Sequence, residues 1–139
     1  MSLAGEELLD ALESGEVRAA EPDGAGGWQV NAWVKEALLD IFRTSDVVEQ
    51  GLEAEGGALL FRDKAAFPVR RFKAEDGVRV VPGGSAIRRG SYLGKGVVCM
   101  PPMYINVGAY VGEGTMVDSH ALVGSCGQIG ERVHLSAAA

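Results

Sequence analysis

One carboxylate stands out at a repeating position of the C-terminal half of the chain. Asp118 follows Val117, and it is the only acid among the residues that directly follow an aliphatic residue recurring every six positions. A carboxylate in such a place can act as a general base or bind an amine. It can equally accept hydrogen bonds from backbone amides at a corner of the chain, and the pattern leaves both roles open.

The other chemically active residues argue against several kinds of site. His120 and His134 are the only histidines, and they supply no full set of zinc ligands, so no metal is expected. Cys99 and Cys126 show neither metal nor redox spacing. Cys99 is predicted to be a small core residue and Cys126 to be structural. No P-loop, GxGxxG fingerprint or serine-protease set is present.

A six-residue repeat is expected to position Asp118. It matches neither the 3.6-residue period of a helix nor the two-residue period of a strand, but it fits a parallel β-helix of hexapeptide repeats. Ordinary hairpins would not hold this phase. Three coils are predicted, at 81–98, 99–116 and 117–134. The predicted inward residues are Val81, Ile87, Leu93, Cys99, Ile105, Val111, Val117, Val123, Ile129 and Leu135.

Two kinds of small residue are expected at the corners of these coils. The residue four positions after each inward aliphatic is often small, as at Ser91, Ala109 and Thr115, because space near a corner is tight. Glycine follows the aliphatic residue at several hexads, including Gly94 and Gly112, where we expect unusual backbone angles.

Residues 1–77 are predicted to form a small α/β domain, and residues 78–139 an incomplete β-helix. Trp28 and Trp33 are expected in the small N-terminal core. Asn31 is the expected N-cap of the second helix. The predicted elements are a helix at 6–13, an extended segment at 16–21, a strand at 28–30, a helix from Asn31 to near Arg43, and strands at 58–61 and 69–72.

Composition and charge limit the classes of partner. The chain has 139 residues, is 47% hydrophobic and 23% charged, and can therefore bury a core. Its net charge of −6 argues against nucleic-acid binding and, weakly, against anionic membranes. No apolar run of about 20 residues could span a bilayer. Acidic residues occupy the N-terminus where a signal peptide would be basic, so a soluble cytoplasmic protein is expected.

Two further features of the chain have open interpretations. Arg70, Arg71 and Lys73 form a basic cluster that is either a solvated face or a site for an anionic ligand. The hexads continue unbroken to Ala139 without a capping repeat, although solenoids need one. We therefore expect the chain to be the front part of a longer one, truncated after about three coils.

Several strings in the coils closely resemble those of the tetrahydrodipicolinate N-succinyltransferase family. They are Gly-Val-Arg-Val-Val-Pro at 77–82, Met-Tyr-Ile-Asn-Val-Gly-Ala-Tyr-Val at 103–111, Gly-Thr-Met-Val-Asp at 114–118, Val-Gly-Ser-Cys-Gly-Gln-Ile-Gly at 123–130 and Val-His-Leu-Ser at 133–136. The resemblance covers the whole coil region and continues more weakly upstream. These strings are more specific than hexad periodicity, which many acyltransferases share.

The resemblance implies a fold and an activity. The family is cytoplasmic and homotrimeric, with a left-handed parallel β-helix. It transfers succinyl from the co-substrate succinyl-CoA, without a cofactor, to the amine of tetrahydrodipicolinate in its 2-amino-6-oxopimelate form, within diaminopimelate and lysine biosynthesis. Its motifs make Asp118 catalytic and substrate-binding, and make Arg79 a ligand of the dicarboxylate. A family-specific Glu and most CoA contacts lie in later coils absent here, so this chain alone is expected to be inactive.

Alternatives remain beside this interpretation. Ser119 and His120 replace the Thr-Trp that follows the acid in other family members, which puts a neighbouring contact in doubt. Arg79 could form a salt bridge at the domain junction instead of binding a carboxylate. Another hexapeptide-repeat O- or N-acetyltransferase would use a histidine base, and His120 or His134 could be proposed. The last alternative is an inactive fragment acting only as a trimerisation module.

Overall fold

Two helices and two hairpins precede a stack of short parallel strands. The computed structural model describes residues 3–51 and 60–139. The N-terminal elements are helix α1 (Gly5–Ser14), strands β1 (Ala20–Pro22) and β2 (Trp28–Val30), helix α2 (Ala32–Thr44), and strands β3 (Val47–Gly51) and β4 (Leu60–Lys64). β1 pairs with β2 and β3 with β4, both antiparallel.

Helix α1 follows the predicted pattern of leucines. Leu8, Leu9 and Leu12 occupy one face and are buried. The helix ends at Gly15, which adopts a left-handed φ of 79° and donates its N–H to the carbonyl of Leu12. A glycine at this position ends a helix without steric cost.

The two tryptophans lie closer to the surface than predicted. Helix α2 buries Val34, Leu38 and Ile41, whereas Trp33 is only partly buried at the edge of this core. The three buried residues are spaced to form one stripe along the helix, and Trp33 falls at its side. Trp28 is 57% exposed on β2, so its predicted core role is wrong.

The cap of α2 also differs in detail from the prediction. Asn31 occupies the N-cap position but makes no side-chain hydrogen bond to the helix. Its Nδ2 group instead donates to the carbonyl of Arg18 at 2.8 Å. Asn31 therefore ties α2 to the segment that leads into β1.

Strands β3 and β4 and a linker at residues 65–78 lie between α2 and the coils. The predicted strand at 58–61 begins outside the described residues, and the observed strand β4 continues to Lys64. The strand predicted at 69–72 does not form. An isolated antiparallel bridge between Val69 and Arg88 takes its place. Pro68 has no backbone N–H, so the ladder cannot extend in that direction.

The C-terminal part is a parallel β-solenoid of about three turns, consistent with the predicted left-handed β-helix. Its strands form three sheets in the orders β5-β8-β11-β14, β6-β9-β12 and β7-β10-β13. The strands are β5 (Arg79–Val80), β6 (Ala86–Ile87), β7 (Tyr92–Leu93), β8 (Val98–Cys99), β9 (Tyr104–Ile105), β10 (Tyr110–Val111), β11 (Met116–Val117), β12 (Leu122–Val123), β13 (Gln128–Ile129) and β14 (His134–Leu135).

The coil interior confirms most of the predicted inward positions. The aliphatic position of each hexad is buried through the middle of the stack, and Cys99 is fully buried among these residues. Ile129 and Leu135 are partly buried and pack against the same core. The small position is buried as well, at Ser91, Val97, Met103, Ala109, Thr115 and Ala121.

The first strand of the solenoid corrects the predicted phase. Val80, and not Val81, pairs with Cys99, which in turn pairs with Val117. The first coil is therefore one residue longer than the next. The extra residue is accommodated in the turn after β5, where Gly83 and Gly84 have φ values of 145° and 93°.

The corner glycines also differ from the prediction. Gly94 and Gly112 do not have positive φ; a Cβ on Gly112 would lie 2.6 Å from the carbonyl carbon of Gly130, so close packing requires glycine there. The left-handed position comes two residues later in the hexad. It is occupied by Gly90, Gly96, Gly108, Gly114, His120, Cys126, Arg132 and Ala138.

The N-terminal part packs directly on the coils. Val107, a coil residue, is fully buried in the same cluster as the leucines of α1. Glu13 accepts a hydrogen bond from the N–H of Gly90, and Asp10 forms an ion pair with Arg89. Strand β5 begins shortly after residue 77, but the division into two domains at that residue remains a prediction.

Candidate functional site

Arg79 and Asp118 project from the same outer face of one sheet. Arg79 pairs with Val98, which pairs with Met116, and these side chains alternate with the buried column of the solenoid. Asp118 lies two residues after Met116 and therefore faces the same side. Because neighbouring strands lie about 4.8 Å apart, the two backbone positions are separated by about 10 Å along the stack.

Two donors hold the Asp118 carboxylate. Nε2 of His134 lies 2.9 Å from Oδ2, and the backbone N–H of Ser119 donates to Oδ1 at 2.8 Å. Both hydrogen bonds lower the pKa of Asp118 below its ordinary value, and the one from His134 has the larger effect. The carboxylate therefore stays ionised near neutral pH. The predicted corner-amide contact is present, and it involves only one of the two oxygens.

The contact between His134 and Asp118 was not predicted from the sequence. His134 is the parallel partner of Met116, so its ring lies on the same outer face as Asp118. The hexad phase could have located this contact, because residues one coil apart align and residues two apart on a strand face the same side. His120, in contrast, is exposed at a left-handed corner and makes no side-chain hydrogen bond within residues 3–51 and 60–139.

Arg79 is exposed, and only its backbone has a partner in the described part of the chain. Its N–H donates to the carbonyl of Val97 at 2.9 Å. No ion pair or side-chain hydrogen bond of Arg79 occurs within residues 3–51 and 60–139, so the salt bridge considered as an alternative is not seen there. The guanidinium is accessible to an anion arriving from solvent.

The basic cluster of the linker divides into a structural and an exposed part. Arg70 donates to the carbonyl of Ser91 at 2.6 Å and lies over the ring of Phe72 at 4.6 Å. Burial lowers the pKa of the Arg70 guanidinium. Arg71 and Lys73 are exposed. All three cations line an open cavity of about 1370 Å³ between the linker, β4 and the coil.

The cysteines take no part in the face that carries Asp118. Burial raises the pKa of the Cys99 thiol to about 11, and burial also raises the pKa of Cys126, opposed by the charge of Lys35. Both thiols are free. A raised thiol pKa disfavours the reactive thiolate.

Neither a metal centre nor a membrane helix occurs in the described part of the chain. No group of three or more His, Cys, Asp or Glu side chains within residues 3–51 and 60–139 could hold a metal ion. In the same ranges, no helix has the length and apolar character needed to cross a membrane.

Comparison with known proteins agrees with the resemblance seen in the coils. Residues 3–44 match the family model described as tetrahydrodipicolinate N-succinyltransferase N-terminal. The chain is 49% identical over 137 residues to 2,3,4,5-tetrahydropyridine-2,6-dicarboxylate N-succinyltransferase of Xylella fastidiosa (strain 9a5c), which covers 95% of this chain and 47% of that protein. It is 50% identical over 133 residues to the protein of the same name from Polynucleobacter asymbioticus, covering 93% of this chain and 46% of the relative.

The protein of the same name from Idiomarina loihiensis is 47% identical over 134 residues, covering 93% of this chain and 46% of the relative. The chain thus spans about half the length of the curated relatives it matches. The family model covers the helices, and the pairwise matches extend through the coils. By sequence, the chain belongs to the tetrahydrodipicolinate N-succinyltransferase family.

Proposed function

We propose that this chain contributes the acceptor-binding face of an N-succinyltransferase acting on tetrahydrodipicolinate in its open 2-amino-6-oxopimelate form. The observation that carries the proposal is the identity of about half of all residues to proteins bearing that name over 95% of the chain. The reaction joins the acyl carbon of succinyl-CoA to the substrate amine and releases the CoA thiol. It belongs to the route that leads to diaminopimelate and lysine.

Asp118 supplies the proton acceptor in this proposal. An amine with a pKa of about 8 is mostly protonated near neutral pH and cannot attack a thioester in that form. The ionised carboxylate binds the ammonium group first and accepts one proton from it, which frees the nitrogen lone pair to attack the acyl carbon of the thioester. After the C–N bond has formed, the nitrogen loses a second proton, and as the C–S bond breaks the sulfur takes up a proton and leaves as the CoA thiol. Binding both reactants at contact distance supplies much of the acceleration.

Arg79 supplies the partner for the far carboxylate of the acceptor. Its planar guanidinium can donate two parallel hydrogen bonds to one carboxylate. An extended seven-carbon dicarboxylate is about 7 Å long, by the bond lengths of an extended chain. The backbone positions of Arg79 and Asp118 are offset by about 10 Å along the stack and by about 7 Å along the strand, so they lie about 12 Å apart on one face. The long side chain of Arg79 spans the remaining distance to the end of such a molecule.

The assembly and the acyl donor complete the proposal. We propose a cytoplasmic homotrimer in which the Asp118 face lines a cleft between neighbouring solenoids. Succinyl-CoA enters as the co-substrate and is held largely by residues outside this chain. Sedimentation equilibrium of the purified chain measures its oligomeric state. A chain that stays monomeric at all accessible concentrations contradicts the proposed trimer.

The test of the activity is a chimera that joins this chain to the later half of the Xylella relative. We expect succinyl transfer to the open acceptor, with Asp118→Asn reducing kcat by about 10²–10⁴-fold because the proton acceptor is lost. Arg79→Lys is expected to raise KM for the dicarboxylate more than it lowers kcat. His120→Ala is the matched control and should retain activity. An active Asp118→Asn variant contradicts the assigned role, and a chimera that is folded but inactive contradicts the proposed function.

A further inference from the structure

The contact between His134 and Asp118 joins two coils on the proposed substrate face. We infer that His134 is a positioning residue for Asp118, which fixes the orientation of that carboxylate without itself touching the substrate. This inference rests on the proposed function for its catalytic meaning. The contact itself, Nε2 to Oδ2 at 2.9 Å, is independent of that function.

The direction of the hydrogen bond follows from the chemistry of the two groups. An ionised carboxylate only accepts hydrogen bonds, so Nε2 of His134 must carry the proton. The unprotonated nitrogen of the neutral ring is then Nδ1, which lies next to the Cβ atom and the residue's own backbone. A histidine that served as the base would instead need its free nitrogen directed away from the backbone toward the amine. This arrangement favours an orienting role.

The two donors act on different oxygens of Asp118. His134 holds Oδ2, and the N–H of Ser119 holds Oδ1, so rotation of the carboxylate plane would break one bond or the other. A carboxylate has about four lone-pair positions, and about two therefore remain for the ammonium group of the acceptor. The side chain of Asp118 is 27% exposed, which leaves those positions accessible from solvent.

The surroundings contain few competing charges. Among the described residues, the side chains that share this outer face near Asp118 are uncharged apart from His134: Met116 on its own strand, Val98 and Met100 in the preceding coil, and Ser136 in the next coil. His134 is the one titratable side chain within the described ranges that shifts the pKa of Asp118. Arg79 lies two strands away. A change at His134 should therefore alter Asp118 without a second electrostatic effect.

Two substitutions separate orientation from proton transfer. His134→Gln keeps an N–H donor near the position of Nε2 but cannot accept a proton at neutral pH, whereas His134→Leu removes the donor. In the active chimera, with succinyl transfer as the readout, we expect His134→Leu to lose about tenfold to hundredfold in kcat, the effect of losing a hydrogen bond to a charged group. We expect His134→Gln to recover most of that loss.

The pH profile provides a second readout. Removing the donor in His134→Leu should move the acidic limb of kcat/KM to higher pH, because the ionised carboxylate loses its main stabilising partner. His134→Gln should move it less. Equal losses in both variants, with no movement of the acidic limb, would identify His134 as the base and overturn the inference.

Carbon-13 NMR of the Asp118 carboxyl group tests the contact without any assay of activity. The resonance is assigned by its disappearance in Asp118→Asn, and its titration is followed in the 139-residue chain. We expect the pKa of Asp118 to rise in His134→Leu toward its ordinary value. If the titration of Asp118 is the same in His134→Leu as in the parent chain, the inference is overturned even if succinyl transfer is found. If the titration shifts but the chimera transfers no succinyl group, only the proposed function is contradicted.

Discussion

The guanidinium carbon of Arg18 lies 3.6 Å from the centroid of the Tyr110 ring, which places an N-terminal side chain on the face of a solenoid residue. Tyr110 stacks in turn on Tyr92 of the preceding coil, with centroids 4.4 Å apart and planes inclined by 15°. Nε of Arg18 donates to Oε1 of Gln128 in the following coil at 3.1 Å. Arg18 thus contacts two successive coils directly and a third through the ring of Tyr110.

Replacing Arg18 should loosen this junction. We expect Arg18→Ala to lower the free energy of unfolding by about 1–3 kcal/mol, the sum of a stacked cation and one side-chain hydrogen bond. Arg18→Lys keeps the charge but lacks the planar group, so it should recover only a small part of the loss. Chemical denaturation followed by circular dichroism measures both. Equal stability of Arg18→Ala and the parent chain would show that the stack contributes nothing.

Two glycines at equivalent corners separate backbone strain from packing. Gly96 and Gly108 both have φ of 77°. A Cβ on Gly96 would approach nothing closer than 3.6 Å, whereas one on Gly108 would lie 2.9 Å from both Leu38 and the sulfur of Cys126. We expect Gly96→Ala to cost about 1 kcal/mol, because alanine is strained in the left-handed region. Gly108→Ala should cost about 1–3 kcal/mol more, since it also overpacks the contact with α2.

Thermal and urea unfolding of the two alanine variants gives this difference directly. The packing part should shrink when Gly108→Ala is combined with Leu38→Ala, because the second change removes one of the two atoms that the new methyl would meet. If both alanine substitutions lower the free energy of unfolding by the same amount, α2 does not limit the space at Gly108.

The thiols should react in a fixed order. Cys99 is fully buried with a pKa raised to about 11, so little thiolate exists at a mildly alkaline pH. Cys126 is only partly buried, and its pKa is raised by burial against the opposing charge of Lys35. We expect iodoacetamide to label Cys126 first and Cys99 only after unfolding. Mass spectrometry of peptides from the folded chain decides this, and early labelling at Cys99 would contradict its burial.

The solenoid was predictable because its period is stated directly by the aliphatic residues. Ile105 and Val111 could be placed inward from spacing alone, since each hexad repeats the same environment. The phase of Val81 was wrong because an inserted residue in a glycine turn leaves the composition unchanged while shifting the register. The exposure of Trp28 was missed for a different reason: hydrophobicity does not reveal whether a two-stranded hairpin has a partner on that face.

The candidate site was only partly predictable. Asp118 was found because it is the single acid at its repeat position, and Arg79 because of the string around it. The pairing of Asp118 with His134 depends on how one coil stacks on the next and how the ring turns toward the strand end. Those are tertiary contacts, which a count along the chain locates only after the register is known.

The Asp118 carboxylate should make stability depend on pH in a definable window. Its pKa is lower in the folded chain than in the unfolded one, with the His134 hydrogen bond as the main cause. The folded state therefore binds fewer protons, and the contribution of this group to stability is present above the unfolded value of about 3.9. It is lost as pH falls through the lower folded pKa. Unfolding free energies of the parent chain and Asp118→Asn should consequently differ at neutral pH and converge in acid.

The same comparison in a chain that carries His134→Leu is the matched control for this measurement. There the carboxylate has lost its main donor, so the single variant His134→Leu is compared with the double variant that also carries Asp118→Asn. The pH-dependent part of their difference should shrink, because the folded pKa of Asp118 has moved toward the unfolded one. A pH-dependent part that is equally large with and without His134 would mean that another group, and not this pair, produces it.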